Sequence, residues 1–145
     1  MSTRERPRGR GDFRHFHTIA TRWMDNDVYG HVNNVVYYSY FDTVVNEYLV
    51  RAGVLDFEHG EVIGLVVETQ CRYFSELSFP QTVHVGLRVA HLGTSSVRYE
   101  IGVFADEQEL ACAQGHFVHV YVDRASRRPT TLPTPLRAAL ERITA

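Results

Sequence analysis

The chain is nearly without cysteine: two thiols, Cys71 and Cys112, occur in 145 residues. Two isolated thiols make neither a disulfide framework nor a metal site, so a reducing cytoplasm is the expected compartment. Long apolar runs are missing as well, and no stretch approaches the ~18 residues of a membrane span. Charge of one sign is also absent. Fifteen basic residues stand against seventeen acidic ones, for a net charge of -2, which gives no electrostatic case for nucleic acid or an acidic membrane as partner. Glycine-rich phosphate loops of the G-x-G-x-x-G or Walker type are lacking, and so is the G-x-S-x-G serine turn. The first residues, MSTRERPRGRGD, have no apolar stretch of the kind a secretory signal needs. They read as a polar tail over 1–12, and 13–145 read as one domain.

What is present is an ordinary globular composition, 44% hydrophobic and 22% charged. A chain of this length buries about two-thirds of its unfolded surface, enough for a core without staples. Residues 13–23 mix aromatic and β-branched types and suit a strand. MDNDVYGH is turn-forming. The segment from Asn33 to Gly53 then carries the strong helical signal, with Val35, Tyr38, Phe41, Val45, Tyr48, Leu49 and Ala52 at three- and four-residue steps. Tyr37, Tyr40 and Val44 widen the apolar face well past a half-buried stripe, so that something wraps around this helix. Asn33 or Asn34 is the expected N-cap, Gly53 the left-handed C-terminal cap, and Glu47 and Arg51 a favourable i,i+4 pair. Four strand-like runs follow, of which TVHVGLRVA and SSVRYEIGVFA alternate most cleanly. A proline-rich link and a short helix, LRAALERI, close the chain. Strand, long helix, four strands and short helix joined by short turns predict an antiparallel sheet of the α+β class.

Eight histidines require a test for metal ligation. His116 and His119 are three apart in a strand and fall on opposite faces, and His15 and His17 share a face with no carboxylate or thiol nearby in sequence to complete a set. No metal site is expected. The dense chemistry lies in Asp25-Asn26-Asp27-Val28-Tyr29-Gly30-His31-Val32-Asn33-Asn34, immediately before the long helix. A helix N-terminus offers free N–H groups and partial positive charge, which suits an oxyanion, and a nearby carboxylate can attack or activate water. From spacing alone, the same residues read more simply as turn and capping groups.

The stretch from Thr21 to Glu47, TRWMDNDVYGHVNNVVYYSYFDTVVNE, resembles the signature of the 4-hydroxybenzoyl-CoA thioesterase family, R-W-x-D-x-D-x-x-G-H-V-N-N-x-x-Y-x-x-Y-F-[DE]. The resemblance implies a hot-dog fold, in which about five strands wrap a long central helix. It implies hydrolysis of acyl-CoA thioesters without a cofactor, CoA being part of the substrate, by homodimers or homotetramers with active sites at subunit interfaces. The family's catalytic carboxylate falls on Asp27. Its carbonyl-polarising amides fall around Gly30, His31 and Val32, with Asn34 as a positioning residue. Trp23 and Tyr29 are candidates for the acyl pocket. Arg88, His91, Ser95, Ser96 and Arg98, at the turn between the third and fourth strands, are candidates for coenzyme contacts. That turn is not basic as in hydroxybenzoyl-type members, and the GHVNN form is more similar to broad acyl-CoA thioesterases. Two rival expectations are a hot-dog enoyl-CoA hydratase, which pairs an Asp with a following His, and a non-catalytic acyl-CoA-binding module.

Overall fold

The computed structural model describes residues 5–56 and 58–145. Five strands, β1 (His15–Ala20), β2 (Val62–Tyr73), β3 (Thr82–Leu92), β4 (Ser96–Ala105) and β5 (Ala113–Asp123), form one antiparallel sheet in the order β1-β3-β4-β5-β2. The long helix α1 (Val36–Arg51) packs on one face, and the short α2 (Thr134–Glu141) packs against β3. This is the expected α+β hot-dog arrangement. No helix among the described residues is long and apolar enough to cross a membrane.

The strand alternation reads directly into the core. Val83, Val85, Leu87 and Val89 of β3 and Val97, Tyr99, Ile101 and Val103 of β4 are wholly buried. On α1 the buried stripe is Tyr37, Tyr40, Phe41, Val44, Val45 and Leu49. The periodicity was right and its centre was displaced: Val35, expected inside, is 62% exposed because the helix begins only at Val36. Phe41, Val44 and Val45 are fully shielded, each contributing about 1.5–3 kcal/mol of apolar burial.

Asn33 does not cap α1 itself; it braces the turn before it, its side-chain oxygen accepting the Val35 N–H and its carbonyl the Val36 N–H. At the other end Gly53 adopts φ 73°, and Val54 N–H donates to Leu49 O while Gly53 N–H donates to Val50 O. This double bond pattern is a Schellman stop, available because glycine carries no Cβ penalty there. Glu47 and Arg51 pair as expected, at 2.6 Å, and Glu47 also accepts from His15 of β1 at 2.6 Å.

The tail expectation for residues 1–12 does not describe residues 5–12; Met1 to Arg4 lie outside the described residues. Arg8 N–H donates to Gln114 Oε1, and Arg10 donates to the carbonyls of Gln108 and Asp106. Phe13 then lies over Gly86 and Gly102 and meets Phe104 edge-on, with ring centroids 5.8 Å apart. Those two glycines leave the outer sheet face concave, and an aromatic ring fills it. That is the packing reason why a polar, arginine-rich segment is held.

Candidate active site

The loop between β1 and α1 is clamped at both margins. A short helical turn, Trp23–Asp25, brings the Asp25 carboxylate back onto Arg22: one oxygen accepts the Arg22 N–H at 2.8 Å, the other its guanidinium at 2.9 and 3.1 Å. Asp25 is 2% exposed, and its carbonyl accepts the Asn33 N–H. Its carboxylate holds the Arg22 guanidinium above its ordinary pKa, by hydrogen bond first and charge second. Asp25 is thus spent on folding the loop.

Asp27 is arranged differently. Its backbone is fully engaged, N–H to His31 O and carbonyl from Gly30 N–H, but its side chain is half-buried and accepts one bond, from Tyr29 N–H at 2.8 Å on Oδ1. Gly30 closes this turn at φ 81°, a conformation any β-carbon would strain. The second carboxylate oxygen has no partner among the described residues and opens onto a depression of ≈ 580 Å³ lined by Trp23, Met24, Asn26, Asp27, Val28 and Gly30.

The segment after β2 holds the loop's far side. Val32 N–H donates to Leu77 O, Ser78 Oγ to Gly30 O, Phe79 N–H to Asn26 Oδ1, and Tyr73 OH to Asn34 O. This corrects the expectation that the Gly30 and Val32 amides face a substrate: both are consumed, one by the turn and one by the 73–79 segment. Besides the Val28 amide, whose residue lines the Asp27 depression, the His31 and Asn34 amides have no partner among the described residues. They flank a second depression of ≈ 300 Å³, shared with Tyr37, Tyr73 and Glu76. The His31 ring turns to Glu76, with Nε2 3.0 Å from Oε2, and not to Asp27. Both side chains are well exposed, so the pair is screened and weak.

Sequence reasoning missed residues 73–79. Their grip runs through the Leu77 carbonyl, the Phe79 N–H and the hydroxyls of Tyr73 and Ser78, none of which carries a spacing signal, and neither does Glu76. Trp23 does line the Asp27 depression and meets Phe79 edge-on at 6.0 Å. Tyr29 contributes its N–H to Asp27, while its ring is 81% exposed and is not part of that lining.

The coenzyme candidates lie elsewhere. Residues 78–81, where β3 begins, hold the Asp27 loop. The turn bearing His91, Ser95 and Ser96 lies at the strand's other end, about 30 Å away for eleven extended residues. Arg88 is not available there, since it is bound to Glu100 at 2.6 Å and to the Asp12 carbonyl. Arg98 reaches His116 Nδ1 at 3.3 Å and is 41% exposed. One chain does not bring these groups to Asp27. Among the described residues no group of three or more His, Cys, Asp or Glu is placed to hold a metal ion.

Comparison with known proteins gives a consistent picture. The thioesterase-like superfamily model matches residues 21–140. The crystal structure of the PA5185 protein from Pseudomonas aeruginosa strain PAO1 superposes with a TM-score of 0.93 at 55% identity, covering 97% of this chain and 98% of that one. A thioesterase complexed with coenzyme A and Zn from Thermus thermophilus superposes at 0.75 with 31% identity, covering 91% and 95%. The YsmA protein of Bacillus subtilis strain 168 is 25% identical over 85 residues, which span 59% of this chain and 57% of YsmA.

Proposed function

Since the chain belongs to the thioesterase-like superfamily, we propose that it hydrolyses acyl-CoA thioesters at the loop before α1, with Asp27 as the reacting carboxylate. The observation that carries this reading is the contrast between two aspartates two residues apart. Asp25 is buried and fully bonded, while Asp27 is held by its backbone and offers an oxygen to an open depression.

In the reaction the thioester carbonyl carbon gains oxygen from water or transiently from Asp27, the C–S bond breaks, and the thiol of CoA leaves with a proton. The free His31 and Asn34 amides are the donors suited to the developing oxyanion, and removal of one such donor typically costs about 10²–10³ in rate. Trp23 supplies apolar wall beside the carboxylate. His31's pairing with Glu76 argues against the Asp–His partnership that a hydratase would use.

The active form in this reading is a homo-oligomer. Trp23, Met24, Val28 and Tyr29 are 73–94% exposed around Asp27, and Val66 and Val67 of the edge strand β2 are 49% and 60% exposed. A second copy covering them would complete the walls of both depressions. It would also supply the β3–β4 turn that a single chain holds too far away for a coenzyme. A panel of acyl-CoA substrates followed by release of free thiol, with light scattering on the same sample, tests the proposal. Turnover by an oligomer is expected; no turnover across the panel, or a monomer of full activity, overturns it.

A further inference from the structure

A separate cavity of ≈ 170 Å³ lies under the second half of α1, beside the first residues of β2 and the last of β5. Leu49, Leu55, Ile63, Gly64 and Tyr121 give it a mainly apolar lining, and His119 is the buried polar side chain within it. Leu49 is thirteen residues along α1 from Val36, about 20 Å at 1.5 Å per residue, so this cavity is remote from the Asp27 loop.

His119 is 5% exposed, and neither ring nitrogen has a hydrogen-bond partner among the described residues. Its ring stacks on Phe117 at 5.4 Å and meets Tyr99 at 71°. The neighbouring hydroxyls do not need it, since Tyr99 and Tyr121 bond each other at 2.6 Å. Nε2 is sealed in the core. Nδ1 is not sealed in this way and lies close beside Gly64, tightly enough that a Cβ there would stand 3.2 Å from Nδ1 and 2.9 Å from the Tyr121 ring. Burial depresses the His119 pKa to about 4, so the imidazole is neutral in ordinary conditions. Leaving such a group without a partner is costly, and structures keep few of them.

We propose that this cavity is a second binding site, for a small neutral alcohol or phenol of about one ring, held by apolar contact and one hydrogen bond to His119 Nδ1. The size fits, because a dry cavity of about 150 Å³ suffices for benzene. The hydroxyl fits because it both donates and accepts, and so meets Nδ1 in either tautomer. A hydrocarbon leaves the nitrogen unmet, and a carboxylate would be drawn to Arg124, which shares the lining with Asn46 and Asp56, rather than to a neutral imidazole.

The test uses the full-length protein labelled with 15N, titrated with phenol, toluene and benzoate. The His119 ring nitrogens are followed by NMR, with the variants His119→Leu and Gly64→Ala alongside. Phenol is expected to shift the His119 nitrogens and bind about tenfold tighter than toluene, the scale of one net hydrogen bond. His119→Leu should erase that preference, and Gly64→Ala should weaken phenol binding by pressing a methyl against Nδ1 and the Tyr121 ring. Equal binding of phenol and toluene, or unmoved His119 nitrogens under saturating phenol, overturns the proposal. So does tighter binding of benzoate, which would point to Arg124 at the cavity as the anion's partner. If either variant fails to fold, the wild-type phenol-to-toluene ratio and the nitrogen shift decide alone. Thioester turnover is not read, so the outcome is independent of the hydrolysis proposal.

Discussion

The two ends of α1 present polar groups under opposite conditions. Before its N-terminus stands Asp27, half-exposed, held by its own backbone, beside amides with no partner among the described residues. Beside its C-terminal half stands His119, shut among aromatic rings, neutral, with no bond to either nitrogen from the described residues. One end keeps a carboxylate open to water; the other removes water and keeps a group uncharged. The helix between them is stitched by Phe41, Val44 and Val45, which touch neither group's chemistry. Function at one end should therefore be separable from stability at the other.

The sharpest way to break that separation is Asp27→Asn. The amide keeps an oxygen for the Tyr29 N–H but cannot attack or deprotonate water. Turnover is expected to fall about 10²–10⁴-fold, with the melting temperature nearly unchanged. His31→Ala should cost less, because the His31 amide belongs to the backbone and its ring pairs only with an exposed Glu76. Thiol release and thermal melting on both variants check this. An Asp27→Asn protein that keeps most of its kcat would mean that the carboxylate merely caps its turn.

At the other end the corresponding perturbation is acid. His119 titrates at about 4 folded against 6.5 unfolded, because burial disfavours its charged form. A depressed pKa means the unfolded chain takes up the proton first. Its contribution is intact above pH 6.5 and is lost progressively as pH falls toward 4, about 3 kcal/mol in all. Denaturant unfolding at pH 7 and pH 4.5 should show this loss in the wild type. It should be largely absent from His119→Leu, and equal acid sensitivity in the two would refute the assignment.

These two ends were unequally legible in the sequence. Strand alternation placed His116 and His119 on opposite faces, and they are: His116 reaches Glu68 and Arg98, while His119 joins the core rings. The pattern said nothing of the cavity, which depends on Gly64 in a neighbouring strand. The centre of the α1 stripe was misplaced because apolar residues surround the helix, and only its start point decides which of them turn inward. At the loop, spacing marked ten residues dense in polar chemistry but could not rank Asp25 against Asp27. That ranking came from resemblance, and the geometry supplies its physical basis. The clamp from residues 73–79 was invisible because half of it is backbone and its two hydroxyls bond carbonyls far away in sequence.

A smaller effect sharpens the contrast within the loop. Asp25→Ala removes a carboxylate that is 2% exposed and leaves the Arg22 N–H without its acceptor. The Arg22 side chain is 66% exposed and can return to water, so the expected cost is about 2 kcal/mol, the scale of one buried unsatisfied group. Activity should fall with stability and recover partly at low temperature. Asp27→Asn would show no such recovery, and kcat measured across temperature on the two variants separates a holding aspartate from a reacting one.

The smallest expected effect is at Tyr40, where α1 meets the loop. Its side chain is 3% exposed and its ring packs edge-on against Tyr37 at 5.9 Å, but its buried hydroxyl makes no close hydrogen bond among the described residues, its interaction with the Asp25 carboxylate being a long one. Burial, then the nearby negative charge of Asp25, pushes its pKa up, so the hydroxyl stays protonated. Tyr40→Phe keeps the ring and deletes a poorly met donor. Stability should hold or rise by up to about 1 kcal/mol, which for a chain of this size is roughly 3 °C in melting temperature. Turnover should be unchanged, because the ring and not the hydroxyl supports the loop. The opposite result, a drop in melting temperature, would mean that the hydroxyl closes on Asp25 in solution. Asp25 would then be held from both sides, by Arg22 and by Tyr40, and Tyr40→Phe combined with Asp25→Ala would cost less than the two separately.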